Sequence, residues 1–293
     1  MLKQEHFGLQ LLPKELAAAA VKAAALNGGA INEIRLRLDK ALVITINDKN
    51  IDAKIICLRE HIEETIKNLC GNSMYSHLNT IREGYILAGN GVRAGICGQA
   101  VVENGNVTVI KDITSIAIRI PRRIKGAAAP VLDLIKQSHY TKNVLIYSKP
   151  GIGKTTILRE LAAELSSGID AKRVAVVDTR SEIAADMEDA QMIDVLSGYP
   201  RGFGIETAVR TLSPQYIICD EIISKSDVEA IVAAIGSGVH LCASIHADSR
   251  ESLFLQPIMQ ELNHYRAFDY FVGLIPSENR EVHYHFDISG REG

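Results

Sequence analysis

A run of branched apolar residues, Val144-Leu145-Ile146-Tyr147, breaks directly into Ser148-Lys149-Pro150-Gly151-Ile152-Gly153-Lys154-Thr155, and Ile157 to Ala163 follows with helical composition. A strand, a glycine-rich turn ending in Gly-Lys-Thr and a helix, in that order, make up a phosphate-binding loop. Gly151 and Gly153 let the backbone curl its N–H groups around phosphate oxygens. The helix that follows points the positive end of its dipole at the same anion. Lys154 can reach the β and γ phosphates of a nucleotide, and the Thr155 hydroxyl can ligate Mg²⁺. The residues expected to hold ATP are therefore Pro150, Gly151, Ile152, Gly153, Lys154, Thr155 and Thr156. Ser148 stands where the usual pattern has its first glycine, which is tolerable if that position needs no positive φ.

Downstream, four short β-rich runs alternate with helical stretches: Asn143 to Tyr147, Arg173 to Val177, Tyr216 to Cys219 and Val239 to Ile245. Such alternation predicts parallel strands with helical crossovers. The tail, Tyr270 to Ile288, is expected to add antiparallel edge strands. Ligands of open α/β sheets bind at the carboxyl ends of the strands, and polar residues stand at those ends here. Asp220 and Glu221 follow Tyr216–Cys219, Asp178 to Glu182 follow the second run, and His246 follows Ser244-Ile245. The chemistry assigns Asp220 and Thr155 to Mg²⁺ and Glu221 to the attacking water. Glu182 and Arg180 are candidates in the acidic segment, and His246 can bond to phosphate or to Glu221. Gly198 to Gly204 reads as a flexible surface loop.

The first half is organised differently. Leu11 to Leu26 reads as a helix stopped by Gly28-Gly29, and Ile31 to Ile46 as half-buried strand in which Arg35 and Arg37 alternate with apolar residues. Asn47 to Asn50 supplies a turn, Leu58 to Leu69 a second helix, and Gly84 to Val109 an antiparallel meander. Arg119, Arg122, Arg123 and Lys125, with Pro121 and Gly126, mark a linker. The expected architecture is an α/β P-loop core over 126–293 and a smaller N-terminal α+β domain with linker over 1–125.

Bulk properties narrow the function classes. A net charge of −3 gives no global case for nucleic acid or membrane binding. No apolar run approaches a membrane span, and the first residues lead into no signal-peptide core. The five cysteines lack any Cys-x-x-Cys spacing, and most read as small buried hydrophobes in a reducing cytoplasm.

Four stations in this order, Gly-Ile-Gly-Lys-Thr, Val-Asp-Thr-Arg-Ser-Glu, Ile-Cys-Asp-Glu and Ser-Ile-His-Ala, resemble the secretion/type IV pilus ATPase superfamily. Ile34-Arg35-Leu36-Arg37, Gly89 to Gly98, Ser181-Glu182-Ile183-Ala184 and Ser213-Pro214 bring the resemblance closer to its sporulation branch in endospore-forming bacteria. The resemblance implies a RecA-like ATPase core and catalytic roles for Lys154, Glu182, Glu221 and His246. It also implies a homo-hexamer with ATP between subunits, completed by a neighbour's cation from among Arg119, Arg180, Arg201 and Arg210. It further implies a cytoplasmic, mother-cell protein held peripherally at the membrane by an inner-membrane component of a sporulation channel. Thr179 stands where the related box often has Glu, which leaves open whether Asp178 or Glu182 is the acting acid. Two other classes remain: a nucleic-acid translocase, supported by the Arg119–Lys125 cluster, and a nucleotide-gated scaffold with negligible turnover.

Overall fold

The computed structural model describes residues 8–71, 73–121, 124–184, 187, 190–276 and 282–288. Gly28 adopts φ 56 and donates its N–H to Ala24 O, closing helix α1 (Lys14–Asn27), as a left-handed glycine cap should. The helix starts three residues later than composition suggested, after Pro13, whose fixed φ suits a helix entry rather than its interior. It covers a six-stranded antiparallel sheet made of β1 (Ile31–Arg37), β2 (Ala41–Ile46), β3 (Lys49–Ile56), β4 (Tyr85–Leu87), β5 (Arg93–Glu103) and β6 (Asn106–Arg119). The strand order is β3-β2-β1-β6-β5-β4. Helices α2 (Arg59–Leu69) and α3 (Leu78–Arg82) lie between β3 and β4 in sequence.

The run Ile31 to Ile46 forms two strands rather than one, because the chain reverses at Asp39, φ 58. Asn47 and Asp48, φ 48 and 63, make the two-residue turn between β2 and β3, the left-handed geometry such hairpins require. Lys49 and Asn50, expected in that turn, belong to β3. The meander is present and longer than expected, since β6 runs on to Arg119. Arg119 is thus a strand residue opposite Glu33 and Arg93 rather than the start of a linker. Arg122 and Arg123 lie outside the described residues. Ile34, Leu36, Ile44, Ile116 and Ile118 point into the aliphatic core. By strand alternation Arg35, Arg37, Arg93 and Arg119 share the opposite face.

A second unit carries the parallel sheet; the chain divides into Met1–Arg122 and Arg123–Gly293. After α4 (Ala129–Gln137) come β7 (Val144–Ser148), α5 (Lys154–Leu165), β8 (Val174–Asp178), β9 (Ile193–Ser197) and α6 (Arg201–Leu212). Then follow β10 (Tyr216–Cys219), α7 (Lys225–Gly236), β11 (His240–His246), α8 (Arg250–Leu255), α9 (Pro257–His264), β12 (Tyr270–Pro276) and β13 (Val282–Ile288). The strand order is β13-β12-β7-β11-β10-β8-β9. The central strands are buried on both faces, which is why they read as continuous apolar runs rather than alternating ones. Val144, Ile146, Val176 and Ile218 pack with α4 and α5, while Leu145, Val177, Ile217 and Cys219 pack with α6, α7 and α9.

β12 joins the sheet parallel to β7, and only β13 is antiparallel. β9 adds a parallel strand that composition did not signal. Gly198 to Gly204 is not a free loop, since α6 begins at Arg201. A Cβ on Gly202 would sit 2.8 Å from Ser226 O, and one on Gly204 would sit 2.5 Å from Val177 Cγ1. These glycines allow α6 to pack close against α7 and β8, a tertiary demand that resembles loop chemistry in sequence.

Candidate functional site

β7 ends at Ser148, and α5 begins at Lys154 with Gly153 at its N-cap. Gly151 and Gly153 take φ 79 and 116, angles that side chains disfavour, so the loop requires glycine there. Ser148 shows no positive φ, so its side chain is accommodated as the last residue of a strand. No side chain caps α5, and the free N–H groups of its first turn form an anion-binding end.

Lys154 folds back over this loop, only 6% exposed. Its Nζ donates to Ser148 O at 2.9 Å, Lys149 O at 3.2 Å and His246 Nδ1 at 2.7 Å. Burial lowers the lysine pKa, and the charges of Asp220 and Glu221 partly offset that. A buried ammonium held by backbone carbonyls and an imidazole favours the arrival of an anion.

Parallel pairing brings the ends of β8, β10 and β11 to the same sheet edge. Asp220 is buried, and its Oδ1 accepts from Glu221 N at 2.9 Å and from Ser244 Oγ at 3.0 Å. Glu221 Oε1 lies 3.0 Å from His246 Nε2, and its Oε2 lies 3.1 Å from Arg180 Nη1. His246 therefore touches both Lys154 and Glu221.

Asp178 and Glu182 separate clearly in this geometry. Asp178 is fully buried, and its carboxylate accepts the N–H groups of Glu182, Ile183 and Ala184, each at 2.9 Å. Asp178 thus shapes the turn, and Glu182 lines the cavity that the turn borders. Arg159 of α5 donates to the Glu182 carbonyl and ties the phosphate loop's helix to the same turn.

These residues enclose a cavity of about 340 Å³. Pro150, Gly151, Gly153, Lys154, Thr155, Thr156, Glu182, Asp220, Glu221 and His246 line it, together with Arg180. Ile152 instead packs against the aliphatic core. Arg210 is exposed on α6, away from the lining, and Arg201 is buried in an ion pair with Asp227 at 3.1 Å. Sequence reasoning missed Ser244 and Asp227 as supporting residues. The available signal for Ser244 was one hydroxyl inside the apolar run Leu241-Cys242-Ala243-Ser244-Ile245.

The donor set suits a nucleotide with a hard cation. Lys154 and Arg180 offer positive charge, while Thr155 and Asp220 add a hydroxyl and a carboxylate to the lining.

The family described as sporulation stage III, protein AA matches this chain over residues 4–289. The chain belongs to that family. Stage III sporulation protein AA of Bacillus subtilis (strain 168) is 32% identical over 253 residues, covering 83% of this chain and 82% of the relative. Among solved structures, the Legionella pneumophila ATPase DotB superposes with a TM-score of 0.62 at 14% identity, covering 92% of this chain and 78% of that one. The pilus retraction motor PilT, solved with bound ADP, gives 0.62 at 15% identity, covering 93% and 83%. At such identities these two show the fold: a RecA-like parallel-sheet core with a smaller N-terminal unit. No helix among the described residues of this sporulation stage III AA family member is long and apolar enough to cross a membrane.

Proposed function

We propose that this chain hydrolyses ATP and serves as a motor or assembly ATPase of a trans-envelope sporulation channel between mother cell and forespore. The observation that carries the reading is the convergence of Lys154, Glu221 and His246 on one cavity beside a helix N-terminus. Lys154 neutralises charge on the β and γ phosphates, and the loop amides cradle them. Thr155 and Asp220 would hold Mg²⁺, which supplies further neutralisation of the phosphate oxygens. Glu221 orients the attacking water and takes its proton, a role that requires it to leave Arg180 or His246 at least in part. Glu182, held by the Asp178 turn, faces the same space.

Membership of the family and likeness to DotB and PilT support a homo-hexamer attached to the membrane through an inner-membrane channel component. In such a ring a neighbouring copy would contribute the missing cation. Arg119 or Arg210 can serve, whereas Arg201 is committed to Asp227.

The test is an ATPase assay of wild type and Lys154→Ala, paired with sizing with and without ATP. Turnover that depends on Lys154, with nucleotide-favoured assembly, is expected; a monomer under every nucleotide condition would overturn the ring. The double engagement of Glu221 also fits a nucleotide-gated scaffold. Full biological function of Glu221→Gln would favour that reading.

A further inference from the structure

Glu221 sits at φ 20, a backbone angle that a residue with a side chain keeps only when its surroundings over-determine it. One residue from a different strand contributes to that constraint. Ser244 Oγ accepts the Glu221 N–H at 3.1 Å and donates its own proton to Asp220 Oδ1 at 3.0 Å. Its carbonyl accepts the Ile222 N–H at 2.8 Å. Ser244 is fully buried in β11, flanked by apolar residues. A hydroxyl there is costly unless paired, and these pairings use its donor and one acceptor site on the Asp220–Glu221 step.

We propose that Ser244 is a positioning residue: its hydroxyl fixes the Asp220–Glu221 backbone so that the Glu221 carboxylate faces the cavity. This rests on the reading of Glu221 as the group that orients water. Removing the hydroxyl leaves the Asp220 Oδ1 to Glu221 N bond of 2.9 Å in place, so the strand and its core survive while Glu221 gains freedom. A residue that merely satisfied the core would change melting temperature; a positioning residue changes turnover and local amide protection.

The experiment compares full-length wild type, Ser244→Ala, Ser244→Thr and Glu221→Gln. The readouts are ATP turnover, affinity for a fluorescent ADP, melting temperature, and amide hydrogen exchange over residues 218–224 without nucleotide. Ser244→Ala should lose about tenfold or more in kcat with ADP affinity within about twofold, and should exchange faster at Glu221, whose N–H loses the Ser244 hydroxyl. Ser244→Thr should recover most of both. Unchanged exchange, or kcat within about twofold of wild type, overturns the proposal. So does a parallel loss of turnover and ADP binding. If Ser244→Ala does not fold, Ser244→Cys, which keeps the volume and weakens the donor, carries the same comparison. Glu221→Gln separates the two ideas: if that variant keeps turnover, the reading of Glu221 fails, whereas its loss beside an unaffected Ser244→Ala sinks only the role of Ser244.

Discussion

Lys154 Nζ lies 2.7 Å from His246 Nδ1, and the opposite ring nitrogen of His246 lies 3.0 Å from Glu221 Oε1. An ammonium can only donate, so toward Lys154 the Nδ1 atom accepts, while Nε2 faces Glu221. The imidazole thus bridges Lys154 and Glu221. A γ-phosphate that draws Lys154 away alters the hydrogen bond on the other side of the ring. His246→Ala should lower kcat by about tenfold or more while KM for ATP changes less. A raised KM with kcat unchanged would assign His246 to binding alone.

Glu221→Gln should remove turnover, by about a hundredfold or more, and leave ATP binding intact. Lys154→Ala should lose binding itself, because the buried ammonium lies against the glycine-rich loop. Equilibrium binding of a fluorescent nucleotide beside steady-state turnover distinguishes the two variants.

The Arg201–Asp227 pair is buried on both sides, and Asp227 Oδ2 also accepts the N–H groups of Ile223 and Ser224. Arg201→Ala leaves a buried carboxylate without its cation and should cost about 3–5 kcal/mol of stability. Arg210→Ala, at an exposed helix position, should stay within about 0.5 kcal/mol. Denaturant melts of both variants check the contrast, and equal stabilities would contradict it.

Gly204→Ala places a methyl 2.5 Å from Val177 Cγ1 and 3.3 Å from Tyr199 Cβ. Overpacking of that kind should destabilise by about 1–3 kcal/mol. A free loop at this position would accept alanine without loss, so thermal melting tests the glycine's packing role directly.

Tyr147 is buried beside Asp287, and the burial first, then the neighbouring carboxylate, pushes its phenol up to about 12. Its unfolded value is near 10, so between these pH values the native state holds a proton that the unfolded chain has lost. Stability contributed by the neutral phenol is therefore complete below about pH 10 and falls as pH rises toward 12. Tyr147→Phe should flatten that decline. Parallel stability–pH curves for variant and wild type would exclude Tyr147 as the source.

The phosphate loop and the parallel core were legible because local chemistry dictates them. Gly151 and Gly153 must be glycine for their φ, and Val144 to Tyr147 must be apolar because a central strand is covered on both faces. The acids and histidine at strand ends could be read for the same reason: parallel strands deliver their carboxyl ends to one edge. Gly202 and Gly204 misled because close helix packing and loop flexibility ask for the same residue. β9 was overlooked since an edge strand half open to solvent lacks the continuous apolar run of its neighbours.

The sequence by itself determined a glycine-rich turn between strand and helix, a parallel sheet and an acidic pair after the third of the predicted strands, since each depends on residues close in the chain. Only the tertiary structure decided what surrounds each acid at the strand ends. Asp178 is consumed by three backbone N–H groups, Glu182 faces the cavity, and Ser244 holds the strained Glu221 from a different strand. The physical reason is that a carboxylate's role is set by which donors reach it, and the donor reaching Glu221 comes from β11, twenty-three residues further along the chain.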